Sequence, residues 1–256
     1  MIKTVIFDVD GTLYDYNSCH EIGMKALEQY CRRRFQTTPE EFRQIYGAAY
    51  RKEEEQIGSR TAAIHNRLIR FQLMLEDLQK PLFPHALQMY HAYWDAFLTG
   101  VVPYPYIRSW MQKLKESGVR IGIGTNMTAY IQYRKLERLG LSAYPDWIVT
   151  SEEAGAEKPD RRFFDLCIQK SGCAPEECLF VGDHPQGDAK GALTAGMHAV
   201  LYGARGSECP EAISVKSYRT TLEAADLTEF VAWNEKRIRK VKADIRNPLR
   251  YLLITE

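Results

Sequence analysis

The chain has 256 residues, 45 % of them apolar and 26 % charged, with a net charge of +1. That length suits one large domain or a core with an insert, and the balanced charge gives no reason to expect a nucleic-acid or membrane partner. No apolar run approaches the roughly 20 residues that cross a bilayer, the first strand starts too early to leave room for a signal peptide, and the six cysteines are scattered without zinc or CxxC spacing, so a reduced, cytoplasmic protein is expected.

Thr4-Val5-Ile6-Phe7 is a β-branched and aromatic run suited to a strand buried on both faces. Asp8 and Asp10 follow it, placed by the strand period on the same side. Gly11 then lets the backbone turn away. Two adjacent carboxylates repel each other and invite a hard divalent cation such as Mg²⁺. The same residues also suit an ordinary turn after a strand.

From about Cys19 to Leu98 the pattern is helical, about four helices with no convincing strand. Thr38-Pro39-Glu40-Glu41 reads as a capping box with proline at the first helical position. Ile64, Leu68, Phe71, Leu75 and Leu78 make one apolar stripe at helical spacing. Leu87, His91, Trp94 and Leu98 make another after Pro84.

The pattern changes at Gly100. A helix through Ile107, Trp110, Met111 and Leu114 ends at Gly118, before the strand Val119–Ile123. A helix through Ile131, Leu136 and Leu139 ends at Gly140, before the strand Trp147–Thr150. Phe163, Phe164, Cys167 and Ile168 mark a helix closed by Gly172. The strand Cys178–Val181, a small-residue helix over Asp188–Ala195 and the strand Met197–Tyr202 complete the series. Such alternation predicts a parallel α/β sheet, whose ligands bind at the carboxyl ends of its strands. The last 25 residues carry seven Lys or Arg against three acids and read as a charged helix with a solvated face.

Three further segments fall at such strand ends. Gly124-Thr125-Asn126 follows a strand and is read as opening the next helix, where a hydroxyl and free N–H groups would make an anion site or simply a helix cap. Glu157-Lys158-Pro159-Asp160 sets a lysine beside a rigid proline. Val181-Gly182-Asp183-His184-Pro185-Gln186-Gly187-Asp188 brings two more acids.

In this order the four segments resemble the motifs of the haloacid dehalogenase-like superfamily: Asp8-Val9-Asp10-Gly11-Thr12, Thr125, Lys158, and Asp183 with Asp188. The resemblance covers residues 1 to about 230. It implies a Rossmann-like core with a parallel sheet flanked by helices, and an inserted all-helical cap. On that reading residues 1–15 and 100–230 form the α/β catalytic core and 16–99 the cap, with a basic C-terminal extension over 231–256.

The resemblance further implies a Mg²⁺-dependent phosphatase acting on a small phosphorylated metabolite through an aspartyl phosphate. Asp8 would be the nucleophile and Asp10 the general acid and base. Thr125, Asn126 and Lys158 would hold the phosphate. Asp8, Asp10 (through its carbonyl), Asp183 and Asp188 would hold the metal. Asp10 speaks against a dehalogenase, which lacks an acid there. A sugar phosphomutase and a non-catalytic phosphate-binding module are the alternatives. Within the insert His65, His85, His91, Arg60, Arg67, Tyr90, Tyr93 and Trp94 are candidate substrate contacts, as is His184 in the fourth motif. Substrate and oligomeric state stay open.

Overall fold

The computed structural model describes residues 1–203, 209 and 211–223. Six parallel strands form one sheet in the order β3-β2-β1-β4-β5-β6. They are β1 (Thr4–Phe7), β2 (Arg120–Thr125), β3 (Trp147–Thr150), β4 (Cys178–Gly182), β5 (His198–Tyr202) and β6 (Ile213–Val215). The chain starts in the middle of the sheet and builds outward on both sides, so β1 and its two neighbours are covered on both faces. All four residues of β1 are buried, as their side chains require.

Helices cover the two faces. On one, α6 (Ile107–Glu116) buries Ile107, Trp110, Met111 and Leu114, the stripe read from the sequence. Trp110 packs edge-on against Phe7 with ring centroids 5.1 Å apart. On the other, α9 (Arg161–Ser171) buries Phe163, Phe164 and Cys167 and ends at Gly172 in the left-handed conformation. Between these, α7 (Ala129–Leu139) ends at Gly140 in the same way, and α8 (Ser151–Ala154) is a single turn after β3. The expected helix over 188–195 is instead a π-turn, Pro185–Lys190, running into the short α10 (Gly191–Thr194). The short strand β6 and the last described helix, α11 (Tyr218–Glu223), are absent from the sequence-based expectation.

Between β1 and α6 the chain inserts helices only: α1 (Tyr16–Phe35), α2 (Pro39–Ile57), α3 (Ala62–Asn66), α4 (Leu68–Asp77) and α5 (His85–Thr99). The expected capping box at Thr38 closes both ways with Glu41. Two expectations are corrected. The stripe from Ile64 to Leu78 is not one helix, because Arg67 adopts φ 70° and breaks it into α3 and α4. Along α5 the buried face is Met89, Tyr90, Tyr93, Trp94, Phe97 and Leu98, whereas Leu87 and His91 are exposed. The larger aromatic surface, rather than the stripe through Leu87 and His91, faces α1 and α4. Gly23 of α1 lies against the Tyr93 ring, which leaves no room for a Cβ there.

A buried ion pair ties α2 to α4. Arg70 Nε donates to Glu53 Oε2 at 2.7 Å, and both side chains are buried. Arg70 also bonds the Tyr46 hydroxyl at 2.8 Å and the Ile64 carbonyl at 3.2 Å. Removing one partner of a buried ion pair strands the other charge, at a cost of about 3–5 kcal/mol. Arg70→Met is therefore expected to lose stability on that scale in urea unfolding, and the double variant Glu53→Leu/Arg70→Met to recover most of it. A loss below about 1 kcal/mol in the single variant would show that the pair behaves as a solvated one.

The two segments joining the insertion to the sheet run side by side. Tyr104 N–H bonds Leu13 O at 2.8 Å, and Tyr14 bridges to Pro103. The insertion thus stands over the carboxyl ends of β1 and β2. The basic segment over 231–256, and the end of the expected core beyond 223, lie outside the described residues.

Candidate active site

The registers of β1 with β2 and β4 end at Phe7, opposite Ile123 and Val181. Asp8 therefore emerges between the ends of its two neighbours, and its N–H bonds Val181 O at 2.8 Å. Two glycines make the approach of the other acids possible. At Gly11, where φ is 84°, a Cβ would lie 2.5 Å from Asp183 Oδ2; at Gly182 it would strike the Asp188 carboxylate. Tyr218 of α11 donates to Thr12 O at 2.6 Å and pins the turn after Asp8.

Lys158 is the centre of charge. Its ammonium donates to Asp8 Oδ1 and to Asp188 Oδ1, both at 2.6 Å, and all three side chains are buried. The Asn126 side chain holds the Lys158 backbone N–H at 3.0 Å, so the second segment fixes the third. Thr12 Oγ1 donates to Asp8 Oδ2 at 3.1 Å, with Asp183 Oδ1 at 3.4 Å. Asp188 also accepts from the His184 N–H at 2.9 Å, while the His184 ring accepts from Gly187 N–H. That histidine is engaged within its own loop, although it borders the cavity.

The three side chains expected to bind the metal come together. Asp8, Asp183 and Asp188 each present one carboxylate oxygen, all within 4.8 Å of one another. Burial pushes the Asp8 carboxyl up, Lys158 pulls it back, and the charges of Asp188, Asp183 and Asp10 raise it again, to about 7. Asp183 is raised as well, by burial first and then by Asp188. Three hard oxygen donors that repel one another fit Mg²⁺.

The Asp10 carboxylate stands apart from that group. It accepts from the fully buried Lys135 ammonium at 2.7 and 2.8 Å, from Gln132 Nε2 at 2.9 Å, and from the Tyr14 hydroxyl. Burial alone would raise its carboxyl; the charge of Lys135 and these hydrogen bonds outweigh burial and hold it below the usual carboxylate range. Lys135, Gln132 and Tyr14 were not foreseen. A signal was present, since Gln132, Lys135, Leu136 and Leu139 share one face of α7 at helical spacing and all are buried.

Thr125 ends β2 and accepts from Gln132 Nε2 at 2.9 Å. The expectation that Thr125 and Asn126 open the next helix is corrected. Helix α7 starts at Ala129 with Thr128 before it, and Glu152 already takes the Ala129 N–H at 2.7 Å. A carboxylate occupies the helix end that an incoming anion would have used. Thr125 and Asn126 still line the cavity, as loop and strand-end residues.

That cavity, of about 800 Å³, lies between the strand ends and the helical insertion. Of the candidate substrate contacts, Arg60, His65, Arg67 and Trp94 reach it, joined by Tyr16 and Asn17, which the sequence reading passed over. The other candidates within the insertion do not line it. His85 bonds the Tyr30 hydroxyl at 2.7 Å, His91 is exposed, and Tyr90 and Tyr93 belong to the core of the insertion.

The chain is similar to known hydrolases over most of its length. The family model described as haloacid dehalogenase-like hydrolase matches residues 2–196. A ribulose-1,5-bisphosphate 5-phosphatase of Halopiger xanaduensis is 38 % identical over 204 residues, 79 % of this chain and 85 % of that protein. A glyceraldehyde 3-phosphate phosphatase of Methanothermobacter thermautotrophicus is 34 % identical over 204 residues, 78 % and 85 % of the two chains. Among solved structures, a 2-haloacid dehalogenase from Pseudomonas syringae superposes with a TM-score of 0.69 at 25 % identity, covering 87 % of this chain and 98 % of the other.

Proposed function

The chain belongs to the haloacid dehalogenase-like hydrolase family, and we propose that it is a Mg²⁺-dependent phosphatase that hydrolyses a small phosphate monoester through an aspartyl phosphate on Asp8. The observation that carries this reading is the division of labour between the two carboxylates. Asp8 lies within the acid cluster and is paired with Lys158, whereas Asp10 is held apart by groups that control its proton. A halide leaves without a proton, but an alkoxide needs one. An acid equipped like Asp10 therefore favours phosphate esters over haloacids.

In the first half-reaction an Asp8 oxygen attacks phosphorus as the bond to the leaving oxygen breaks, and Asp10 supplies the proton that oxygen takes up. In the second, Asp10 takes a proton from water as the water oxygen attacks phosphorus and releases Asp8 and inorganic phosphate. Lys135, Gln132 and Tyr14 favour the ionised Asp10 needed in this second half. A phosphate dianion beside it favours the protonated form needed in the first. Lys158 and Thr125 stabilise the transferring oxygens, and Lys158 keeps Asp8 aimed. Asp8, Asp183, Asp188 and the Asp10 carbonyl would hold Mg²⁺, which would offset the acids' charge and polarise the phosphoryl group.

The substrates for which the relatives are named support a phosphorylated sugar or triose as the substrate class. Six cysteines, none in a disulfide, support a reducing compartment such as the cytoplasm. No helix among the described residues is long and apolar enough to cross a membrane.

The reading is tested by phosphate release from a panel of sugar, nucleotide and organic-acid phosphates. Release is expected to stop with EDTA and return with Mg²⁺; turnover independent of metal would contradict it. Because Mg²⁺ binds the folded state, it should also raise the melting temperature. Asp183→Asn is expected to abolish that rise.

A further inference from the structure

Among the described residues of the helical insertion, one buried cation has no ion-pair partner. Arg67 is 7 % exposed and lines the cavity. Its guanidinium lies 4.9 Å from the Tyr93 ring centre and 5.2 Å from that of Trp94. It donates to the His65 carbonyl and, at 2.6 Å, to the Tyr16 hydroxyl. A guanidinium has five N–H donors, and its Nε is buried with no partner. No carboxylate among the described residues forms an ion pair with Arg67, although the charge of Glu53 acts on it from a distance. Glu53 is held by Arg70 at 2.7 Å, and Glu157 faces His65 at 3.0 Å.

Burying an unpaired charge is costly, and proteins retain one where a ligand completes it. The reacting phosphate does not account for Arg67, because that phosphate has Lys158 and would have the Mg²⁺ held by the acids around Asp8. Lys135, which shares the Trp94 and Tyr16 rings as neighbours, is already spent on Asp10. Arg60, an exposed residue that also lines the cavity, adds a second cation without an acid partner among the described residues. A fork-shaped donor at a cavity wall suits a bidentate anion.

Resting on the phosphatase reading, we infer that the substrate carries a second anionic group, a phosphate or a carboxylate, that binds Arg67 while the first phosphate reacts at Asp8. This would separate the relatives' substrates, favouring esters of the bisphosphate kind over those bearing a single phosphate and no other charge.

The test compares matched pairs by phosphate release: ribulose 1,5-bisphosphate with ribulose 5-phosphate, and 3-phosphoglycerate with glycerol 3-phosphate. The wild-type enzyme is expected to favour the doubly anionic member of at least one pair by about tenfold or more in kcat/KM. Preference in the first pair identifies a phosphate and in the second a carboxylate. Arg67→Met should reduce that preference about tenfold, chiefly through KM, with Arg67→Lys retaining part of it. Equal rates within both pairs, or a preference unchanged in Arg67→Met, would overturn the inference. The wild-type comparison decides alone if the variant does not fold. Absence of release from all four esters would strike the phosphatase reading instead. Calorimetric binding of the same pairs to Asp8→Asn would then decide the subsite, unequal affinities supporting it and equal affinities overturning it.

Discussion

Asp8→Asn is expected to lose at least about 10⁴-fold in turnover, the scale on which removal of a covalent nucleophile is felt, while melting within a few degrees of the wild type. The amide has the shape of the carboxylate but cannot make the phosphoryl bond. The fold should survive because Lys158 keeps Asp188 as a partner at 2.6 Å and Thr12 keeps its hydrogen bond to an oxygen at position 8. The substitution also removes one of three mutually repelling acids. Loss of the fold together with activity would leave the nucleophile unproven. Activity within tenfold of wild type in a well-folded variant would refute it.

Lys158→Met carries the second large effect, and it separates charge from chemistry. The lysine is the only side chain that bridges Asp8 and Asp188 among the described residues. Without it two buried carboxylates face each other unpaired, so the variant should melt well below the wild type in EDTA. Mg²⁺ should then raise its melting temperature by more than it raises that of the wild type, because the ion replaces the missing charge. Turnover should not follow. The ammonium also stabilises the transferring oxygens, and loss of such a group costs about 10²–10³-fold. Recovery of full activity with Mg²⁺ would mean that Lys158 serves only to balance charge.

Much of this site was legible because its parts follow buried strands. Four apolar runs, each ending in Asp, Thr or Gly-Asp, announce a parallel sheet with polar strand ends, and β1, β3 and β4 begin where those runs begin. Lys158 was legible only through its neighbours in the motif, since nothing in a lone lysine shows that two carboxylates will bury it. Strand β6 spans three residues, too few for a period of two to stand out. In the insertion the helices were readable but their faces were not. Arg67 breaks a continuous apolar stripe by its backbone conformation, which the side-chain pattern does not record. Lys135 and Gln132 hid for the opposite reason. Polar residues on a helix read as solvated, yet these two share the buried face of α7 and close around Asp10.

The most direct test of the central claim is chemical trapping of the intermediate. The enzyme is mixed with a turned-over ester and Mg²⁺, quenched in acid and reduced with borohydride, and the peptide holding residues 2–13 is read by mass spectrometry. An acyl phosphate reduces to the alcohol, so homoserine should stand at position 8 with Asp10 unchanged, and neither change should occur without substrate. A peptide unmodified at Asp8 under conditions of steady turnover, or homoserine at position 10, would contradict the assignment of the two carboxylates.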